Sequence, residues 1–162
     1  MRSALARRVG RLFGLVQMAG GGLALVAFFL PWVVATDGVL RLSFSGLSLG
    51  LGSSPFFVFN RYVWLAPITL VSPLAAGAVV LRGFGMLSRR SPYDGRSAVL
   101  SLIGLLPVAW LVATTAEEVV TAHAFQEFRI LGIGPVLSAA AFGGVLLLEP
   151  LGYLVARSRV AT

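Results

Sequence analysis

Very little in this chain can do proton, metal or nucleophile chemistry, and what there is stands apart. The 162 residues include one histidine, six carboxylates and no cysteine. Without thiolates there are no disulfides, iron–sulfur ligands or thiol redox steps. Nucleophilic triads and zinc sites need histidine, cysteine or clustered carboxylates in combinations that a single histidine does not complete. His123 has Glu117, Glu118 and Glu127 for sequence neighbours. Adjacent Glu117 and Glu118 leave a helix at different azimuths, so their carboxylates do not converge on one substrate. His123 and Glu127, four apart, suit a pair on one helical face. The group reads as a solvated segment. No catalytic, cofactor-binding or metal-ligating residue is assigned, no cofactor is expected, and the chain is not expected to be an enzyme.

Two further polar residues interrupt long apolar stretches, where a polar side chain is costly and so a functional candidate. Gln17 precedes Gly20-Gly21-Gly22. An amide beside small residues is what helix contacts in lipid use, since close backbone approach and an interhelical hydrogen bond replace the missing hydrophobic drive. Glu149 lies deep in the last apolar run, where Arg11, Arg82 or Arg96 could reach it and an ion pair would fix the helices. Small residues at four-residue spacing recur at Gly10 and Gly14, Ser72 and Ala76, Ala139 and Gly143, and Ala140 and Gly144. The last two pairs mark their run as central or as a partner interface.

The elements that must carry these residues are four apolar runs: 12–34, 62–81, 98–116 and 135–155. Each has about 20 residues, the length a helix needs to cross a hydrocarbon core of about 30 Å. The composition agrees. It is 57% hydrophobic and 12% charged, about half the charge of a soluble domain, and its mean hydropathy is +0.91. The expected fold is all-α: a single membrane domain over 1–162, an antiparallel four-transmembrane-helix bundle. Its loops are an outer hairpin loop at 35–61, a cytoplasmic loop at 82–97 and an outer loop at 117–134. The apolar stretch after the N-terminal arginines exceeds the length of a signal-peptide core, so it reads as an uncleaved anchor.

Charge orients the expected threading. Arg2, Arg7, Arg8, Arg11, Arg82, Arg89, Arg90, Arg96, Arg157 and Arg159 fall on one side, and only Arg41, Arg61 and Arg129 on the other. This bias places both termini in the cytoplasm, with a basic rim for anionic lipid headgroups. It makes nucleic acid an unexpected partner for a chain of net charge +7. Every basic residue is arginine, which with the Gly, Ala and Leu content points weakly to a GC-rich prokaryote and its plasma membrane.

Prolines and aromatics punctuate the runs. Pro31 kinks or ends the first helix, leaving Trp32 at the headgroup level where indoles concentrate. Phe56, Phe57, Phe59, Tyr62 and Trp64 extend that outer belt. Pro67, Pro73, Pro107 and Pro150 are expected to bend their helices. Ser91-Pro92-Tyr93-Asp94-Gly95 reads as a plain reversal, with Gly95 free to take positive φ, and Pro135 suits a first helical turn.

Within the first outer loop the period changes to two. Leu40, Leu42 and Phe44 alternate with polar residues, as do Leu47, Leu49 and Leu51 after Ser45-Gly46. That is a hairpin pattern, with Phe44 facing Leu47, Leu42 facing Leu49 and Leu40 facing Leu51. The shared apolar face must rest on the protein's own helix ends, dock a partner or meet lipid directly. Four spans with strands in the first outer loop are similar in topology to claudin-type tetraspan proteins. This cysteine-free chain lacks their outer-loop cysteine pair, and no functional residue is carried over.

The functional expectation is a non-catalytic accessory or scaffold subunit packing against other integral-membrane subunits of a respiratory, photosynthetic or transport complex. Two other classes fit the same residues. One is a small homo-oligomeric transporter or channel using Glu149 and Gln17. The other is a lipid-, quinone- or pigment-binding protein using the phenylalanine-rich outer rim.

Overall fold

A computed structural model describes the backbone of residues 2–36, 41–52, 63–88, 95–121 and 128–157, with side chains over 8–34, 42–52, 67–88, 95–114 and 131–150. The elements run α1 (Arg2–Phe29), β1 (Pro31–Thr36), β2 (Arg41–Ser45), α2 (Gly46–Gly50), a 3₁₀ segment (Val63–Leu70), α3 (Val71–Leu87), α4 (Arg96–Thr121), β3 (Phe128–Leu131) and α5 (Ile133–Arg157). Four helices are long and apolar enough to cross a membrane: Arg8–Phe29, Pro67–Leu87 including its 3₁₀ start, Arg96–Thr114 and Ile133–Pro150.

Each apolar run expected from the sequence therefore forms a helix, with shifted ends. Pro31 ends α1 outright rather than bending it, because it supplies no N–H to continue the ladder. Val33 and Val34, expected inside the first span, lie in β1 instead. At the far end of α3 the helix continues through Arg82 to Leu87, so Arg82 is a helical residue and not a loop residue. Gly95 has φ of 73°, as a reversal before α4 requires.

The long helices share a simple neighbour pattern. α1 packs against α3 and α5, and α4 packs against the same two. Glycines set the closest approaches. A Cβ at Gly14 would stand 2.8 Å from the Gly83 carbonyl oxygen, and one at Gly21 would stand 2.7 Å from the Ala76 carbonyl oxygen. At Gly14 and Gly83 the backbones meet because neither residue carries a side chain. These contacts also set the register, with α1 and α3 antiparallel.

One end carries a three-stranded antiparallel sheet of order β2-β1-β3. β1 is central, pairing Val34 with Ser43 on one side and with Ile130 on the other. Pro31 is tolerated in a central strand because it is the first residue. The register slips between Pro31 and Val33, a bulge at Trp32. That bulge turns the indole inward: Trp32 is fully buried, its Nε1 donates to the Ala27 carbonyl at 2.9 Å, and Phe28 packs edge-on at 6.3 Å. Trp32 is a core residue and not a member of an exposed aromatic belt. Around it gather Phe28, Val33, Leu49, Val108 and Leu111.

A hairpin does form in the first outer loop, but it joins β1 to β2 and does not turn at Ser45-Gly46. Residues 46–50 are helical instead. Ser45 decides this: its Oγ accepts the Ser48 N–H at 3.2 Å, an N-cap that satisfies a donor the helix start would leave orphaned. Thr69 Oγ1 then donates to the Gly46 carbonyl at 3.2 Å, tying α2 to the 3₁₀ segment. Val33, Val34 and Ala35 take the pairing positions that Leu47–Leu51 would have occupied.

Candidate functional site

The interior is layered. Next to the sheet lies the cluster around Trp32. Below it comes an apolar layer of Ala24, Ala75, Ala76, Ala141 and Phe142, flanked by Leu25 and Leu105. Phe142 seats against Gly104, where any Cβ would collide with its ring. Beyond that layer, toward the connection at 88–95, the interior turns polar.

Four helices supply this polar layer. Gly14 against Gly83 and Leu87, and Gly21 against Ala76 and Val80, set Gln17 level with 80–84 on α3. Gly20 against Ala141 and Val145 sets Gln17 level with about 144–148 on α5, one turn or less from Glu149. Arg82 Nε donates to Ser97 Oγ at 3.1 Å, joining α3 to α4 at the same height. Gly104 against Phe142 places Ser101 and Ser97 opposite Val145 and Glu149. The two polar residues singled out from the sequence are thus brought to one level, with Arg82, Ser97 and Ser101 beside them.

Burial separates this layer from a surface patch. Gln17 is 2% exposed, Glu149 3%, Ser97 and Ser101 0%. Arg82 is half-buried, whereas Arg11 and Arg96 are exposed. Both polar atoms of the Gln17 amide and the Ser101 hydroxyl are buried with no hydrogen-bond partner among the described residues. A buried amide or hydroxyl left unpaired costs about 1–3 kcal/mol, and sites of this kind are where ordered water is found. Ser72 and Ser138, fully buried nearer the sheet, have unpartnered hydroxyls too.

The other expected contact residues divide. Leu49 is buried in the core cluster, and Phe44 packs against it. Leu42, Leu47 and Leu51 are exposed, so the five described residues of the expected face divide between core and surface. Leu40 lies outside the described residues. Gly143 and Gly144 have open space where a Cβ would stand, Ala140 is exposed, and Ala139 packs on the core cluster. Gly143 and Gly144 make no close helix crossing with the described residues; Gly14, Gly20, Gly21 and Gly83 do. His123 and Glu127, with Phe56, Phe57 and Phe59, lie outside the described residues, as do the side chains of Glu117 and Glu118. Among described residues no three His, Cys, Asp or Glu side chains gather as a metal site would require.

Sequence reasoning named Arg82 as a candidate neighbour of Glu149 but passed over Ser97 and Ser101. The signal was present: serines spaced four apart at the start of an apolar run occupy one helical face, and Arg82 lies fifteen residues before Ser97 across a reversal.

Compared with known proteins, the chain matches no family model, and no curated protein or solved structure matches it.

Proposed function

We propose that this chain is a four-span integral-membrane protein, an antiparallel helix bundle with both termini on the arginine-rich, cytoplasmic side of a prokaryotic plasma membrane. We propose further that it serves as a non-catalytic accessory or scaffold subunit against other membrane subunits. The observation that carries the reading is the distribution of size and polarity. Inside, glycine, alanine, serine and Gln17 stand among Trp32, Phe142 and other apolar side chains; outside stand Leu12, Phe29, Leu74, Leu81, Phe84 and Leu147, each at least 60% exposed. No span is more than 39% buried. In water such a surface would aggregate; in lipid it is the ordinary solvent-facing side. Leu42, Leu47 and Leu51 on the cap and the open Gly143–Gly144 face on α5 are then surfaces for a neighbour.

The test is purification of the full chain from its native membrane in mild detergent, with mass spectrometry of whatever accompanies it. A stable hetero-assembly is expected. Leu42→Asp with Leu51→Asp should release it while leaving the protein folded. A lone monomer or homo-oligomer, or an assembly untouched by that pair, overturns the subunit role. A second reading, transport, draws support from the shared level of Gln17 and Glu149.

A further inference from the structure

Glu149 is a carboxyl group enclosed by protein, in a layer with more hydrogen-bonding capacity than the protein itself satisfies. Gln17 offers two N–H donors and a carbonyl acceptor, and Ser101 a hydroxyl. None of these finds a protein partner among the described residues, and each is at least 98% enclosed. They stand on α1 and α4, the two helices packed against α5, within about one helical turn of Glu149 on its sheet side. A buried ionised carboxylate is tolerated only if paired, hydrogen-bonded or hydrated, and otherwise takes up a proton. The layer has two different boundaries. Toward the sheet, Phe142 and the alanines around it close the interior about 10 Å away, seven residues along α5. Toward 88–95, Arg82 is half-buried and Ser97 lies in the first turn of α4.

We propose that Gln17, Ser101 and Glu149 form a hydrated proton-binding site that communicates with the 88–95 end and is sealed from the sheet end by Phe142. The exchange is a simple transfer. The Glu149 carboxyl O–H breaks, its proton passes to a water held by Gln17 and Ser101, and a carboxylate and a hydronium result. Among the described side chains, the charged groups at this end on elements packed around α5 are Arg8 and Arg11 of α1 and Arg96 of α4, all exposed, with half-buried Arg82 across on α3. β1, also packed on α5, brings none among its described side chains. The site rests on membrane insertion but not on the subunit role.

The experiment uses the full chain in lipid vesicles and follows carboxyl infrared absorption through a pH titration in ordinary and heavy water. Glu149→Gln identifies the Glu149 band. The expected result is a titrating band that exchanges with deuterium on mixing and whose exchange slows about tenfold in Gln17→Leu, which removes the hydrogen bonds that hold the water. Phe142→Ala should raise passive proton flux across the vesicle wall above that of the wild type. A Glu149 that stays ionised or protonated throughout, or exchange equally slow in wild type and Gln17→Leu, overturns the site and leaves a dry packing contact. Flux unchanged in Phe142→Ala overturns the seal. Vesicle flotation of every variant tests insertion separately, and partner loss is read only from the cap variants.

Discussion

A glycine can act through the space it leaves, and two positions in this chain show opposite cases. At Gly104 the Phe142 ring occupies the volume a side chain would need; at Gly143 nothing stands within 4 Å. Gly104→Val should therefore destabilise the protein by about 1–3 kcal/mol, the usual cost of forcing extra atoms into a packed interior. Gly143→Val should change stability by less than about 0.5 kcal/mol, as substitutions outside packed features do. Denaturant titration of both variants in the same detergent checks the contrast. Equal effects would mean that the α4–α5 contact is looser than described. Gln17 makes the complementary point: the amide stands out against its apolar run, so its importance is legible from residue type alone, whereas its company is not. Ser101 and Ser97 look like ordinary small residues until the register of four helices sets them beside it.

At the scale of elements, helix existence was readable because apolar length alone separates a span from a core helix. Helix ends were less readable: Pro31 signalled a kink or an end without deciding between them, and the apolar run carried the first span on to Val34, five residues past the end of α1. The stretch Leu47-Ser48-Leu49 alternates like a strand, but five residues are too few for period to choose between strand and helix. The capping hydroxyl of Ser45 chooses. Ser45→Ala should remove about 0.5–2 kcal/mol from α2, seen as faster amide hydrogen exchange over 46–51 with α1 and α3 unchanged. Exchange that is the same in variant and wild type would show that Thr69 and the core contact of Leu49 suffice without the cap. β3 was not readable for a different reason: its partner, β1, lies far off in sequence, and four residues containing Arg129 carry no signal of their own. Trp32 failed through ambiguity of type, since an indole serves both water–lipid boundaries and protein cores. Only the bulge decides between them.

For the whole molecule the testable statement is sidedness. The sheet and the 88–95 connection lie at opposite ends of the long helices, so under the four-span reading they face opposite aqueous phases. The chain has no cysteine, so single cysteines report position without background. In intact cells Leu51→Cys should react with an impermeant maleimide and Ser88→Cys should not; in inverted vesicles the order should reverse. Both positions are exposed in the structure, so failure to label reports the barrier and not burial. Labelling of both from one side would overturn the threading, and with it the orientation taken from the arginines.

The central place of β1 in the sheet has a consequence for how the chain is made. β2 follows β1 almost at once, but β3 emerges from the ribosome only about 90 residues later, a delay of about 5–20 s at ordinary elongation rates. Throughout that interval one edge of β1 has its backbone N–H and C=O groups unmatched, an invitation to any passing strand. A chaperone, or the neighbour's own backbone, would have its opportunity in that window, and a message truncated before Phe128 would leave the edge open for good.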